Sequence, residues 1–180
     1  MGQRKLLSSS VLVVGAGGIG PTLLLLLVAS GVGRITVVDH YDVEVSNLHR
    51  QAIHTERRRG TSEARSACDA MRSLNPSVSV TAVTEPLTWD NAMELLRGND
   101  CVVDASDNPR MRYLINDACV LAGRELKMAA ITNGVSGRGG DPIPLVSGSA
   151  MGTDRQLKVY NHWGGECATD AYTPSPTLWE

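Results

Sequence analysis

Apolar residues along the chain fall into short Val-rich runs separated by stretches with helical spacing. Val11 to Val14 (VLVV) is too short for a helix and reads as a strand buried on both faces. An apolar helical run, Leu23 to Ala29, follows, and then a second strand, Ile35 to Val38. His40 to Arg59 is polar and has no sustained period, so it reads as a loop with a short helical turn. Gly60 to Leu74 has helical spacing (Ala64, Ala67, Cys68, Met71, Leu74) and stops at Asn75-Pro76. Val78 to Val83 alternates as a strand does. Asp90 is the expected cap of a helix running to about Arg97 and ended by Gly98-Asn99. Cys101 to Val103 is a further buried strand, and Pro109 opens a helix expected to reach about Ala122 and to stop at Gly123.

This βαβαβαβα alternation implies an α/β, Rossmann-like, doubly wound and mainly parallel sheet. Beyond it the pattern fades. Glu125 to Ile143 holds Gly134, Gly137, Gly139 and Gly140 with little periodicity, and is expected to be an inserted mobile loop. Pro144 to Ala150 and Gln156 to Asn161 read as two more strands. Gly164 to Glu180 shows neither helix nor strand, so we expect an irregular tail on a single domain of 180 residues.

Composition adds limits. At 42% hydrophobic, 20% charged and net charge −2, the chain gives no electrostatic case for nucleic acid or an anionic membrane as partner. Its longest apolar run is far below the ~18 residues of a membrane span. The start, MGQRKLLSSS, lacks the apolar core of a signal peptide, which makes the cytoplasm the expected location. Cys68, Cys101 and Cys119 lie in apolar patterns and read as small core residues, not as a disulfide framework. Cys167 alone has a loop context.

The chemistry gathers at strand ends. Gly15, Gly17 and Gly20 keep G-x-G-x-x-G spacing between strand and helix, and Asp39 ends the second strand. Glycines allow a tight turn close to phosphate, a helix N-terminus offers free N–H groups, and an acid can accept bonds from ribose hydroxyls. The competing reading is a glycine turn that only packs helix on strand. Asp107 and Asn108 follow another strand end. Ligands of doubly wound sheets bind beyond such ends.

GAGGIG, Asp39, SNLHRQ (Ser46 to Gln51), DASDN (Asp104 to Asn108) and QLKVYN occur in that order. Together they resemble the MoeB/ThiF family of adenylyltransferases, related to ubiquitin-activating enzymes, and most of all its eukaryotic molybdopterin-synthase adenylyltransferase/sulfurtransferase branch. The resemblance implies a ThiF-type fold and activation, with ATP and magnesium, of the C-terminal glycine of a ubiquitin-like sulfur carrier. The adenylate then becomes a thiocarboxylate serving molybdenum cofactor synthesis or tRNA thiolation. By the same resemblance Gly15, Gly17, Gly18 and Gly20 cradle phosphates and Asp39 holds the ribose. Ser46, Asn47, Leu48, His49 and Arg50 line the nucleotide, with Asn47 and Arg50 at the triphosphate. Asp107 holds magnesium beside Asn108, and Arg50 and Asp107 carry the catalytic charge. A guanidinium fork and a hard carboxylate suit those tasks. The plain alternatives are a solvated loop arginine for Arg50 and a helix cap for Asp107. Arg57 to Arg59 reads as a solvated run.

The sequence departs from that family in four places. The family's lysine beside the phosphates aligns with Glu63, and Arg65 points about 200° away on the same helix. Family members carry an arginine-bearing segment before the first strand that reaches a partner's ATP site; that segment is not expected here, while a homodimer stands among the partners that the resemblance implies. The C-x-x-C zinc half-site is reduced to Cys167, with Asp170 at its second position, so zinc is not expected. The family's later strands and sulfur-handling loop are not expected either. A catalytically impaired homologue that binds only nucleotide or a partner therefore stands as the alternative. An NAD-dependent oxidoreductase stands behind it, disfavoured by SNLHRQ and DASDN.

Overall fold

The computed structural model describes residues 2–132, 142–151 and 154–161. Its elements run α1 (Gly2–Ser8), β1 (Ser10–Val14), α2 (Gly20–Ala29), β2 (Arg34–Val38), two 3₁₀ turns (Val45–Asn47, Glu56–Arg58), α3 (Glu63–Leu74) and β3 (Ser79–Val83). They continue through α4 (Trp89–Leu96), β4 (Cys101–Asp104), α5 (Pro109–Thr132), β5 (Leu145–Met151) and β6 (Asp154–Tyr160). One sheet of six strands has the order β3-β2-β1-β4-β5-β6. Its first five strands are parallel, and β6 runs antiparallel to β5. This is the doubly wound, mainly parallel architecture that the alternation implies.

The Val-rich strands succeed because both faces of the sheet are covered. Val11, Val13, Ile35, Val37 and Val103 pack with α2 and α3 on one side. Leu12, Val14, Val38, Val102 and Leu145 pack with α4 and α5 on the other. Register then aligns the carboxyl ends. Val83, Val38, Val14, Asp104 and Ser147 form one row across five strands. The residues just beyond that row, among them Asp39 and Gly15, are thereby set side by side.

Several local expectations need correction. The helix opened by Pro109 does not stop at Gly123 but runs 24 residues to Thr132, so the first part of the expected loop 125–143 is helical. Buried Ala118, Cys119 and Ala122 hold α5 in the core, and a glycine inside a helix costs only about 1 kcal/mol against such packing. Residues 133–141 of that loop, and the tail 164–180, lie outside the described residues. Asp90 sits within the first turn of α4; the cap position is Thr88, whose N–H donates to Asn91 Oδ1 at 2.8 Å. The helix α1 has no buried residue and no apolar period to announce it. It is tied on by backbone, Gly33 N–H donating to the Leu6 carbonyl at 2.9 Å.

Cys68 and Cys119 are buried and Cys101 half-buried, all three as free thiols. Burial pushes the Cys68 and Cys101 thiols up to about 11, so they stay protonated and behave as apolar core groups. Among the described residues no helix is long and apolar enough to cross a membrane.

Leu12 is fully buried on the central strand, whereas Leu157 on β6 is 75% exposed. Leu12→Ala should cost about 2–5 kcal/mol through lost burial and a residual cavity. Leu157→Ala should cost less than about 0.5 kcal/mol. Urea midpoints of the two variants check the pair.

Candidate nucleotide site at the strand carboxyl ends

The glycine loop is built by close backbone approach. Gly15 has φ +101°, and a Cβ there would lie 2.8 Å from the Ala105 carbonyl oxygen, so a side chain is excluded on both counts. At Gly20 a Cβ would overlap the Gly15 carbonyl, so the start of α2 closes directly onto the end of β1. Gly17 and Gly18 differ. A Cβ at Gly18 would meet nothing within 4 Å, which leaves open space above the first turn of α2. No side-chain hydrogen bond caps that helix start, which leaves the N–H groups of its first turn, Pro21 having none, without a capping side chain.

Asp39 is buried and tied to the loop. Its Oδ2 accepts the Ala16 N–H at 2.7 Å and its Oδ1 the Tyr41 N–H at 2.8 Å. The acid thus fixes the glycine loop as well as standing at the ribose position of the expected site. The loop after it holds Ser46, Asn47, Leu48 and His49 in and beside the first 3₁₀ turn. Ser46 Oγ donates to Glu44 Oε2 at 3.2 Å, His49 Nδ1 contacts the Ser46 carbonyl at 2.9 Å, and Leu48 N–H donates to Val45 at 3.2 Å. The Asn47 carbonyl accepts from Arg50 N–H at 3.1 Å and Gln51 N–H at 3.2 Å, so the turn delivers Arg50. Arg50 is exposed, and among the described residues its guanidinium has no ion pair.

Asp107 and Asn108 divide two tasks that the sequence leaves open. Asn108 Oδ1 accepts the Arg110 N–H at 3.0 Å and caps α5. Asp107 is exposed and, among the described residues, carries no hydrogen bond or ion pair, which leaves a hard oxygen donor free at the strand end. Beneath it, Asp104 is wholly buried. Its Oδ2 accepts from Arg112 Nε and from Ser147 Oγ, each at 2.9 Å, and its Oδ1 accepts from Ser106 Oγ at 2.6 Å. That network sets the pitch of the 104–108 loop. Cys167 lies outside the described residues.

Glu63 is where structure adds most. It opens α3, is only 3% exposed, and faces the glycine loop: its Oε2 would lie 3.8 Å from a Cβ on Gly17. Gln51 Nε2 donates to Glu63 Oε1 at 2.9 Å. Burial pushes its carboxyl above the usual range, and Asp39 and Glu44 act the same way; Gln51 and Arg50 oppose them. Arg65 is exposed on the other side of α3, where it lines a surface hollow of about 500 Å³ with His40, Asp42, Arg58 and Asp69. It does not stand in for a cation at the loop.

Two side chains escape the sequence reading. His54 and Ser66 are buried, with His54 Nδ1 2.8 Å from Ser66 Oγ and His54 Nε2 3.1 Å from the Ala16 carbonyl. Burial, aided by Arg58, lowers the His54 pKa against the pull of Ala16 and Asp39. The signal available was spacing: Gln51 and His54 are three apart, and so are their partners Glu63 and Ser66.

The family model for the ThiF family matches residues 1–178. The chain belongs to the ThiF family. As a family member it is 46% identical over 177 residues to the "Adenylyltransferase and sulfurtransferase MOCS3" of Arabidopsis thaliana, covering 98% of this chain and 34% of that protein. It is 47% identical over 166 residues to the protein of that name in Mus musculus, covering 92% and 32% respectively. The ThiF chain described here therefore spans about a third of the length of these curated relatives. Among solved structures, Escherichia coli MccB with ATP superposes with a TM-score of 0.72 at 22% identity, covering 88% of this chain and 42% of that one. E. coli tRNA N6-threonylcarbamoyladenosine dehydratase, TcdA, gives 0.68 at 28% identity, covering 84% and 56%. The fold is shared throughout.

Because folding raises the Glu63 pKa, the stability tied to its proton is full below the unfolded value of 4.5 and is lost as pH rises through the folded value. Glu63→Gln should therefore raise the urea midpoint relative to the unaltered protein at pH 8, with the difference shrinking toward pH 4.5. Parallel denaturation series at the two pH values read the effect.

Proposed function

We propose that this ThiF domain is an ATP-dependent adenylyltransferase acting on the C-terminal glycine carboxylate of a ubiquitin-like sulfur-carrier protein. The observation that carries the reading is the placement of four features beyond the carboxyl ends of β1, β2 and β4: an open glycine loop, a buried Asp39 tied to it, and uncommitted Arg50 and Asp107 side chains. The names of the MOCS3 relatives support it, with their molybdenum cofactor and tRNA thiolation roles as the resemblance implies.

In this reading a carboxylate oxygen of the carrier bonds to the α-phosphorus of ATP, the bond to the bridging oxygen breaks, and pyrophosphate leaves with its electron pair. The protein's part is positioning and cancellation of negative charge. Gly17, Gly18 and the first turn of α2 would cradle phosphate oxygens. Asp39 keeps lone pairs for a ribose hydroxyl beyond its two backbone bonds. Ser46 to His49 would flank the nucleotide, and the Arg50 fork would reach the triphosphate. Asp107 fits a magnesium ion because Asn108 takes over the capping, leaving both carboxylate oxygens free. Magnesium, when bound, supplies charge neutralisation at the phosphates. A second copy of the chain is a further partner that the resemblance implies, and the cytoplasm its location.

Glu63 favours a second reading, in which the chain binds nucleotide but turns it over poorly. An anion about 4 Å from a phosphate opposes it by about 4 kcal/mol at an effective dielectric near 20. Burial raises the Glu63 pKa, whereas the bond donated by Gln51 Nε2 favours the charged carboxylate and holds it in place.

Calorimetry should show ATP with magnesium binding better than NAD, and Arg50→Ala should weaken ATP by about 1.5–3 kcal/mol, as for a charge-assisted bond. Equal affinity for NAD overturns the assignment. Carrier-dependent ATP–pyrophosphate exchange supports turnover, whereas binding without exchange hands the function to the second reading. Glu63→Lys should strengthen ATP binding more than it speeds exchange.

A further inference from the structure

The glycine loop is gripped from behind at a single residue. Ala16 is fully buried, and both of its backbone groups are held by side chains. Asp39 Oδ2 takes its N–H at 2.7 Å, and His54 Nε2 lies 3.1 Å from its carbonyl oxygen. A carbonyl only accepts, so Nε2 is the protonated nitrogen. Nδ1 then accepts from the Ser66 hydroxyl at 2.8 Å. The ring is thus fixed at both nitrogens, between α3 and the loop. Arg58 Nη1 donates to the carbonyl of the same Ser66, which ties that turn of α3 in place from the other side.

The consequence follows from peptide geometry. The bond between Ala16 and Gly17 is trans, as are all those described, and planar, so its C=O and N–H point in opposite directions. With the Ala16 carbonyl drawn inward to His54, the Gly17 N–H is directed away from the ring. Among the described residues no backbone acceptor takes that N–H, and at the neighbouring Gly18 a Cβ would meet nothing within 4 Å. An isolated glycine loop has no such preference, because a peptide flanked by glycine can flip.

We propose that His54 is a positioning residue for a phosphate group: by holding the Ala16 carbonyl inward, it aims the Gly17 N–H outward at the anion. The proposal rests on the nucleotide reading above and names a residue that reading does not use. His54 touches no substrate. It acts through one peptide plane, which separates its effect from that of Arg50 or Asp107, whose charges face the ligand directly. The effect is confined to phosphate, since the nucleoside end of a nucleotide gains nothing from the Gly17 N–H.

That confinement makes the test. His54→Phe keeps a flat ring of similar size and loses the donor; His54→Gln restores an N–H near the Nε2 position. Calorimetry with ATP and magnesium should give about a tenfold weaker Kd for His54→Phe, the worth of one hydrogen bond. Adenosine should shift less than about twofold, and His54→Gln should recover most of the ATP affinity. Equal weakening of ATP and adenosine makes the role merely structural and overturns the proposal, as does unchanged ATP affinity in His54→Phe. If His54→Phe does not fold, Ser66→Ala takes its place; freeing the ring at Nδ1 should weaken ATP severalfold while sparing adenosine. Inorganic pyrophosphate, followed at the Gly17 amide by NMR, separates the two claims. If the unaltered protein binds no ATP but pyrophosphate moves that amide only when His54 is present, the nucleotide reading falls and the positioning role stands. If neither ligand binds, both fall.

Discussion

The Asp39 carboxylate holds the upper rim of the sheet together. Two backbone N–H groups, from Ala16 and Tyr41, converge on it within a buried setting. Bonds of this charge-assisted kind contribute about 1.5–3 kcal/mol each. They join the exit of β1 to the exit of β2, which the row Val38–Val14 already places side by side. The glycine loop gains from this tether because its three glycines offer no side chains for packing and only Ala16 is buried in the core. Once it is fixed, the start of α2, the turn at Val45–Asn47 and the face of α3 have a common reference.

What was legible in the sequence follows from how local each signal is. Strands buried on both faces announce themselves as VLVV and ITVV whatever surrounds them, so the sheet could be read directly. Asp39 could be read because a strand, glycines and a helix fix its place in space. The long α5 could not, since the small cost of a glycine inside a helix is offset by the packing of Ala118, Cys119 and Ala122. Thr88 was hidden because its partner is Asn91 and not the Glu or Gln of the usual capping pattern. Gln51 lay inside a quoted motif yet had no assigned task. His54 and Ser66 lay outside it, and their meeting is a tertiary event 12 residues apart in the chain.

Glu63 serves the frame at two levels. Its side chain is folded into the scaffold by the Gln51 amide and by burial. Its backbone still does local work, donating to the Tyr41 carbonyl at 2.9 Å and so holding α3 against the loop after β2. Side chain and main chain at one residue thus serve different ends, the first shaping charge at the site and the second its frame.

The Asp104–Arg112 pair restricts how this loop can change over generations. Asp104 is fully buried and the Arg112 side chain 15% exposed, and the acid also receives Ser147 and Ser106. Losing one partner strands a charge in the interior, at about 3–5 kcal/mol, while replacing both by well-fitting apolar residues is often neutral. A lineage passing one substitution at a time must therefore cross a deep valley to reach a neighbour of equal stability. Positions 104 and 112 are expected to drift together or not at all. Three residues beyond Asp104, the exposed Asp107 carries no hydrogen bond or ion pair among the described residues, so variation there costs the fold far less.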